Sequence, residues 1–244
     1  MKRRFVLRAL IVLAVGGVVL VAASGGLYLT QQDSGLQIVS KSPADGAFPE
    51  PGTVPIGGPF TLVDHQGRTV TEQDFGNRYL LVFFGFSHCP DICPTTLADI
   101  AGTLDMLGGV ADAVQPLFVS LDPARDTPER LAEYVAVFDP RIVGLTGTPE
   151  QIAAVAGEYR VFYEKISSEQ YFDEDSKGGD ADDTEAIKTP LEEDYMISHQ
   201  GNTYLMSPDS EYVAHFSYGT KPAEMAETIR AAIAEFGRPA SVAQ

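Results

Sequence analysis

The chain has 244 residues, 44% of them apolar, with a formal net charge of −17 and an isoelectric point near 4.5. That is ample for one domain with a real core once a terminal segment is set aside, and no second domain is needed. The acidic balance argues against nucleic acid and against docking on an anionic lipid surface, both of which require clustered Lys and Arg; it suits cations or a basic partner.

Lys2, Arg3, Arg4 and Arg8 precede an uncharged run from Ala9 to Leu29, long enough to cross a bilayer as a helix. The basic flank stays in the cytoplasm, so the remainder is exported. A cleaved signal peptide is the rival reading, with Val21, Ala22 and Ala23 before Ser24 as a small-residue cleavage site. The apolar run continues past that point, which favours a retained anchor over residues 1–30. Residues 31–56 carry Ser, Pro and Gly with turn signals at Ala44-Asp45-Gly46 and Pro49-Glu50-Pro51-Gly52, and read as a linker. The globular domain is expected over 57–238.

Phe60 to Val63 and Arg68 to Val70 form an expected hairpin across Asp64-His65-Gln66-Gly67. Tyr79 to Phe84 is a continuous aromatic and branched run, the pattern of a strand buried on both faces. It breaks at Gly85 and leads into the two cysteines of the chain, Cys89 and Cys93, in the segment CPDIC. A helical period then takes over through Leu97, Ile100, Ala101, Leu104 and Leu107. Val114 to Leu121 is a second buried strand. Thr127 caps a helix with Pro128 at its first position and Leu131, Tyr134, Val135 and Phe138 on its apolar face. Ile142 to Leu145 is a third strand, and Thr148-Pro149-Glu150-Gln151 is a capping box opening a helix through Ile152, Val155 and Ala156. Alternation of this kind implies an α/β fold with a largely parallel sheet.

Val161 to Lys165 reads as a further strand, after which the pattern fails. Residues 169–194 hold eleven acidic residues against Lys177 and Lys188, a net charge of −9, and are expected to be a mobile surface insertion. A carboxylate site for a hard cation is the sharper reading there, but the spacing matches no EF-hand. Order returns at Tyr195. Thr203 to Met206 and Glu211 to Ser217 form a second hairpin, and a last helix starts near Thr220 and Pro222, buries Met225, Ile229, Ile233 and Phe236, and stops at Gly237.

Two cysteines in an exported protein are ordinarily a structural disulfide. A bridge across three residues removes little unfolded-state entropy, however, so reactivity or metal binding explains the pair better. If a helix begins inside the motif, the sulfurs lie about one turn apart on one face, within reach of a disulfide and able to share a soft cation. A helix N-terminus favours the thiolate for either purpose. Two thiolates need a third ligand to close a trigonal Cu(I) site, and imidazole suits copper. The chain has His65, His88, His199 and His215. His199 lies where a loop could fold over the cysteine turn. His88, adjacent to Cys89 on an extended segment, points away and reads as a local or partner-facing group; His65 and His215 read as structural.

GFSHCPDICP, SLDPARDTPERLAEYVAVFDPRIVGLTGTPEQI and SHQGNTYLMSPDSEYVAHFSYGT together closely resemble the SCO/SenC family of membrane-anchored copper proteins, from about Gly57 to Phe236. The resemblance implies a thioredoxin-like fold with an N-terminal hairpin and a C-terminal hairpin plus helix, preceded by a single transmembrane helix. It assigns copper, as Cu(I) and also Cu(II), to Cys89, Cys93 and His199, and places Asp122 of the SLDP motif behind the site. The insertion 169–194 is longer than expected for that family. The function so implied is a metallochaperone serving the binuclear copper site of cytochrome c oxidase. Its partners would be the oxidase's copper-bearing subunit, a copper donor, a thiol reductant and, through the N-terminal helix, the membrane. The location would be the bacterial inner membrane with the domain in the periplasm, or the mitochondrial inner membrane in a eukaryote. The enzymatic alternative is a thiol-disulfide oxidoreductase with Cys89 and Cys93 as its catalytic pair. An inert disulfide is the bland third reading, and structural zinc, which usually takes four protein ligands, fits poorly.

Overall fold

Strand β3, Tyr79–Gly85, is buried at all seven positions, as its unbroken apolar run requires. In this computed structural model residues 53–75, 78–167 and 195–237 are described. The expected anchor over 1–30, the linker up to residue 52 and the acidic insertion 169–194 lie outside them. Among the described residues no helix is long and apolar enough to cross a membrane.

A hairpin, β1 (Thr61–Asp64) and β2 (Thr69–Thr71), precedes β3, and Val54 and Ile56 just before it pack on the core. After β3 come α1 (Ile92–Leu107), β4 (Val114–Ser120), α2 (Pro128–Ala136), β5 (Val143–Thr146) and α3 (Pro149–Glu158). Then follow β6 (Tyr163–Ser167), β7 (Tyr195–His199), β8 (Thr203–Met206), β9 (Tyr212–Phe216) and α4 (Pro222–Phe236). The expected caps form. The Thr127 side chain accepts the Arg130 N–H, Thr148 and Gln151 close a reciprocal capping box, and Gly237 ends α4 at φ 96°, a conformation glycine adopts without a Cβ penalty.

Among the described residues seven strands form one sheet in the order β2-β1-β5-β4-β3-β8-β9. Only β3, β4 and β5 are mutually parallel; both edges are antiparallel hairpins. The largely parallel sheet expected from alternation is therefore mixed, because the short connections Asp64–Arg68 and Ser207–Ser210 can return a chain only antiparallel. Strands β6 and β7 pair with each other from Tyr163↔His199 to Ser167↔Tyr195 and stand as a separate two-stranded ribbon.

Candidate metal centre

The site is built at the C-terminal end of β3. A Cβ on Gly85 would lie 2.7 Å from Cys93 Sγ and 2.9 Å from the Phe118 ring, so the strand must end in glycine for the thiol to pack against it. The chain then turns, with the Cys89 N–H donating to the Phe86 carbonyl at 3.2 Å. Asp126, wholly buried, ties this turn to the end of β4. Its carboxylate accepts the Ser87 N–H at 3.0 Å, the Ser87 hydroxyl at 2.5 Å and the Ser120 hydroxyl at 2.5 Å. Arg130 Nε donates to the same Ser87 oxygen at 3.3 Å.

Helix α1 begins at Ile92, between the two cysteines, so the condition under which the sulfurs lie about one turn apart is met. Asp91 stands at the N-cap without a side-chain cap bond. The Cys93 N–H instead donates to Cys89 Sγ at 3.4 Å, so the sulfur does the capping. Both thiols are free and buried, Cys93 completely. They are driven apart in acidity. The Cys93 thiol donating to Cys89, with help from the backbone N–H groups of the helix start, lowers Cys89 to about 6 against the opposing effect of burial. Burial first, then the hydrogen bond to Cys89 and the charge on it, pushes Cys93 well above the ordinary thiol range. Tyr134, whose hydroxyl is buried without a hydrogen-bond partner among the described residues, is also raised, by burial first and then by negative charge on Cys93, Cys89 and Asp126.

His199 is the last residue of β7, so the third candidate ligand arrives on a strand and not on the loop expected from sequence. Its Nε2 lies 3.8 Å from Cys93 Sγ. Its Nδ1 is 3.0 Å from the Gln200 carbonyl, which can only accept; Nδ1 therefore carries the proton and Nε2 presents its lone pair to the sulfur. The rings of Phe83 and Phe86, with centroids 6.4 and 6.0 Å away, wall the imidazole, and burial lowers its pKa. The turn after His199 lies against the motif: a Cβ on Gly201 would come within ordinary contact of Tyr218 at 3.4 Å and Ile92 at 3.5 Å.

Two soft donors on one ion, with bonds of about 2.3 Å to sulfur and about 2.0 Å to nitrogen at a trigonal angle, stand about 3.7 Å apart. The Cys93–His199 pair meets that spacing. Among the described residues no three His, Cys, Asp or Glu side chains are already gathered around one point.

The other sequence candidates fall elsewhere. His88 is exposed, its Nδ1 3.3 Å from Ser87 Oγ. His65 Nδ1 accepts the Gly144 N–H at 2.9 Å, and His215 Nδ1 bonds the Tyr212 hydroxyl at 2.7 Å. Asp122 is fully buried, but it bonds Arg125 and Tyr195 and neither cysteine. Sequence reasoning missed Asp126 and Tyr195. The signal for Asp126 lay in SLDPARD, where a second carboxylate follows Asp122 by four residues.

A thioredoxin-like α/β domain with a CxxxC thiol pair at a helix start, faced by an imidazole from a distant strand, is the class this geometry defines. The SCO1/SenC family model matches residues 49–234, and the chain belongs to that family. Protein sco1 of Schizosaccharomyces pombe is 34% identical over 209 residues, covering 85% of this chain and 72% of that protein. The mitochondrial SCO1 homolog of Homo sapiens is 38% identical over 176 residues, covering 71% of this chain but only 52% of the human protein. Arabidopsis thaliana ScoI, solved with copper bound, superposes with a TM-score of 0.60 at 36% identity over 74% of this chain and 99% of that one.

Proposed function

We propose that this protein is a membrane-anchored copper carrier that holds the metal as cargo on Cys89, Cys93 and His199 and delivers it to the binuclear copper site of cytochrome c oxidase. The observation that carries the reading is the 3.8 Å approach of Cys93 Sγ to a His199 Nε2 whose opposite nitrogen is tied to a carbonyl. Two thiolates and an imidazole suit Cu(I), and the copper-bound relative supports the same cargo. Transfer is ligand exchange: a client thiolate displaces one donor at a time, with no change in the metal's charge. The carrier sits in the bacterial inner membrane with its domain in the periplasm, or in the mitochondrial inner membrane. It is loaded by a copper donor and kept reduced by a thiol reductant.

Titrating the reduced protein with Cu(I) against a competing chelator tests this. One copper per chain is expected, lost in Cys89→Ala and Cys93→Ala and strongly weakened in His199→Ala. His88→Ala, a surface change, should stay within about twofold of the native affinity. Native affinity in His199→Ala would remove the third ligand.

The divided acidities of the two thiols favour a second activity. The Cys89 thiolate attacks a client disulfide and releases one client thiolate. Cys93, on losing its proton, then attacks Cys89 Sγ and releases the other. The client gains two electrons, and Cys89–Cys93 is left oxidised for the thiol reductant to restore. Copper-free reduced protein should reduce the client disulfide one for one; no reaction leaves metal transfer alone.

A further inference from the structure

One buried polar knot is used by neither activity. Asp122 Oδ1 accepts the Tyr195 hydroxyl at 2.5 Å, and its second oxygen takes Nε of Arg125. Arg125 Nη1 donates to the Tyr195 carbonyl at 3.0 Å, and its guanidinium carbon lies 3.7 Å from the centre of the Tyr195 ring. Two residues of the loop after β4 thus grip one tyrosine by its hydroxyl, ring and backbone. Lys165 of β6 adds its ammonium 4.2 Å from the same ring centre. The Asp122 N–H donates to Ser120 Oγ, the hydroxyl that also serves Asp126, so the knot is fastened to the frame that holds the cysteine turn.

Tyr195 opens β7 and His199 closes it, on the same face of an extended strand. Among the described residues that strand pairs with β6 and not with the main sheet. A strand transmits the position of one end to the other, so the grip on Tyr195 sets where His199 lies over Cys93. Met196 and Ile197 bury apolar surface between the two ends. Hydrogen bonds of this kind each contribute modestly, which puts their local breaking within reach of a folded protein.

We propose that Asp122 and Arg125 form a latch on Tyr195 that governs how long His199 stays over Cys93, and hence how fast copper leaves. The proposal rests on the copper reading above, and both are positioning residues that never touch the metal. Opening the latch lets β7 drift, uncovers Cys93 and leaves the ion on two thiolates, the state a client thiol can attack.

The test is the rate at which copper-loaded full-length protein gives Cu(I) to a chelator. Tyr195→Phe keeps the ring, the stacked cations and the carbonyl bond and removes only the hydroxyl; release should be about tenfold faster. In a His199→Ala background the same substitution should change the rate less than about twofold, because the latch acts through that histidine. Arg125→Gln should repeat the pattern. Equal acceleration in both backgrounds would make the knot merely structural, and unchanged release from Tyr195→Phe alone would also overturn the latch. A metal-free readout separates this from the copper reading: in copper-free protein, hydrogen exchange at β7 amides should quicken in Tyr195→Phe while β3 amides hold. If the native chain takes up no copper, the carrier function falls and the exchange measurement alone decides, with unaltered β7 exchange sinking the latch.

Discussion

The turn that carries Cys89 and Cys93 grows out of the middle of a seven-stranded sheet, whereas the strand that carries His199 belongs to a two-stranded ribbon outside it. The turn inherits its position from β3, which is hydrogen-bonded on both sides, and from the wholly buried Asp126. Among the described residues the ribbon has one hydrogen-bonded neighbour per strand, and a two-stranded unit is marginal by itself. It depends on Ile197 in the core, on the Asp122–Arg125–Tyr195 knot, and on the contact of His199 with the Phe83 and Phe86 rings. A carrier needs this asymmetry. Two ligands must be ready before the metal arrives, and one must be able to leave without unfolding the domain.

The comparison breaks most sharply at Gly85. An alanine Cβ would stand 2.7 Å from Cys93 Sγ, 2.9 Å from the Phe118 ring and 3.2 Å from the Phe83 ring, all buried and none at the end of a flexible chain. Overpacking of this kind costs about 1–3 kcal/mol. Gly85→Ala should therefore lower the unfolding free energy measured by urea titration by that amount and also abolish tight copper binding, with the ribbon untouched in sequence. If copper uptake survives at native affinity, the turn yields as readily as the ribbon, and the division into a fixed and a movable half fails.

The two halves were also unequally legible in the sequence. Tyr79 to Phe84, the caps at Thr127 and Thr148 and the period of α1 are local patterns; the strand and caps appear within a residue or two of their expected limits, and α1 ends at Leu107 as its period does. The start of α1 between the cysteines lies ahead of the readable period, which begins at Leu97, and was only a condition in the sequence. The ribbon is non-local: β7 pairs with β6 from the far side of the acidic insertion, and YMISH is too short and mixed to declare itself a strand. His199 could be singled out by family resemblance, since no spacing rule ties a histidine to a thiol 106 residues away. Asp122 was placed behind the site on the same basis. What it does there depends on Tyr195, a contact no sequence pattern announces.

A smaller effect, read in protons, assigns each half its share of the binding chemistry. Cys89 is lowered to about 6 chiefly by the Cys93 thiol hydrogen, so at pH 7.5 it is already a thiolate and has no proton to give up. Cys93 is raised by burial and keeps its proton until the metal displaces it. His199 is lowered by burial, so it is neutral at pH 7.5 and contributes none. Copper uptake at pH 7.5 should therefore release about one proton per ion, rising toward two as the pH falls through 6, where Cys89 also arrives protonated. Calorimetric titration in buffers of different ionisation enthalpy measures this count. Removing the imidazole in His199→Ala should leave the count at pH 7.5 unchanged while weakening the affinity, because the fixed half supplies the proton and the movable half supplies only a lone pair. Two protons released at pH 7.5 would mean that the helix start does not hold Cys89 as a thiolate, and the turn would then be no better prepared for the metal than the ribbon.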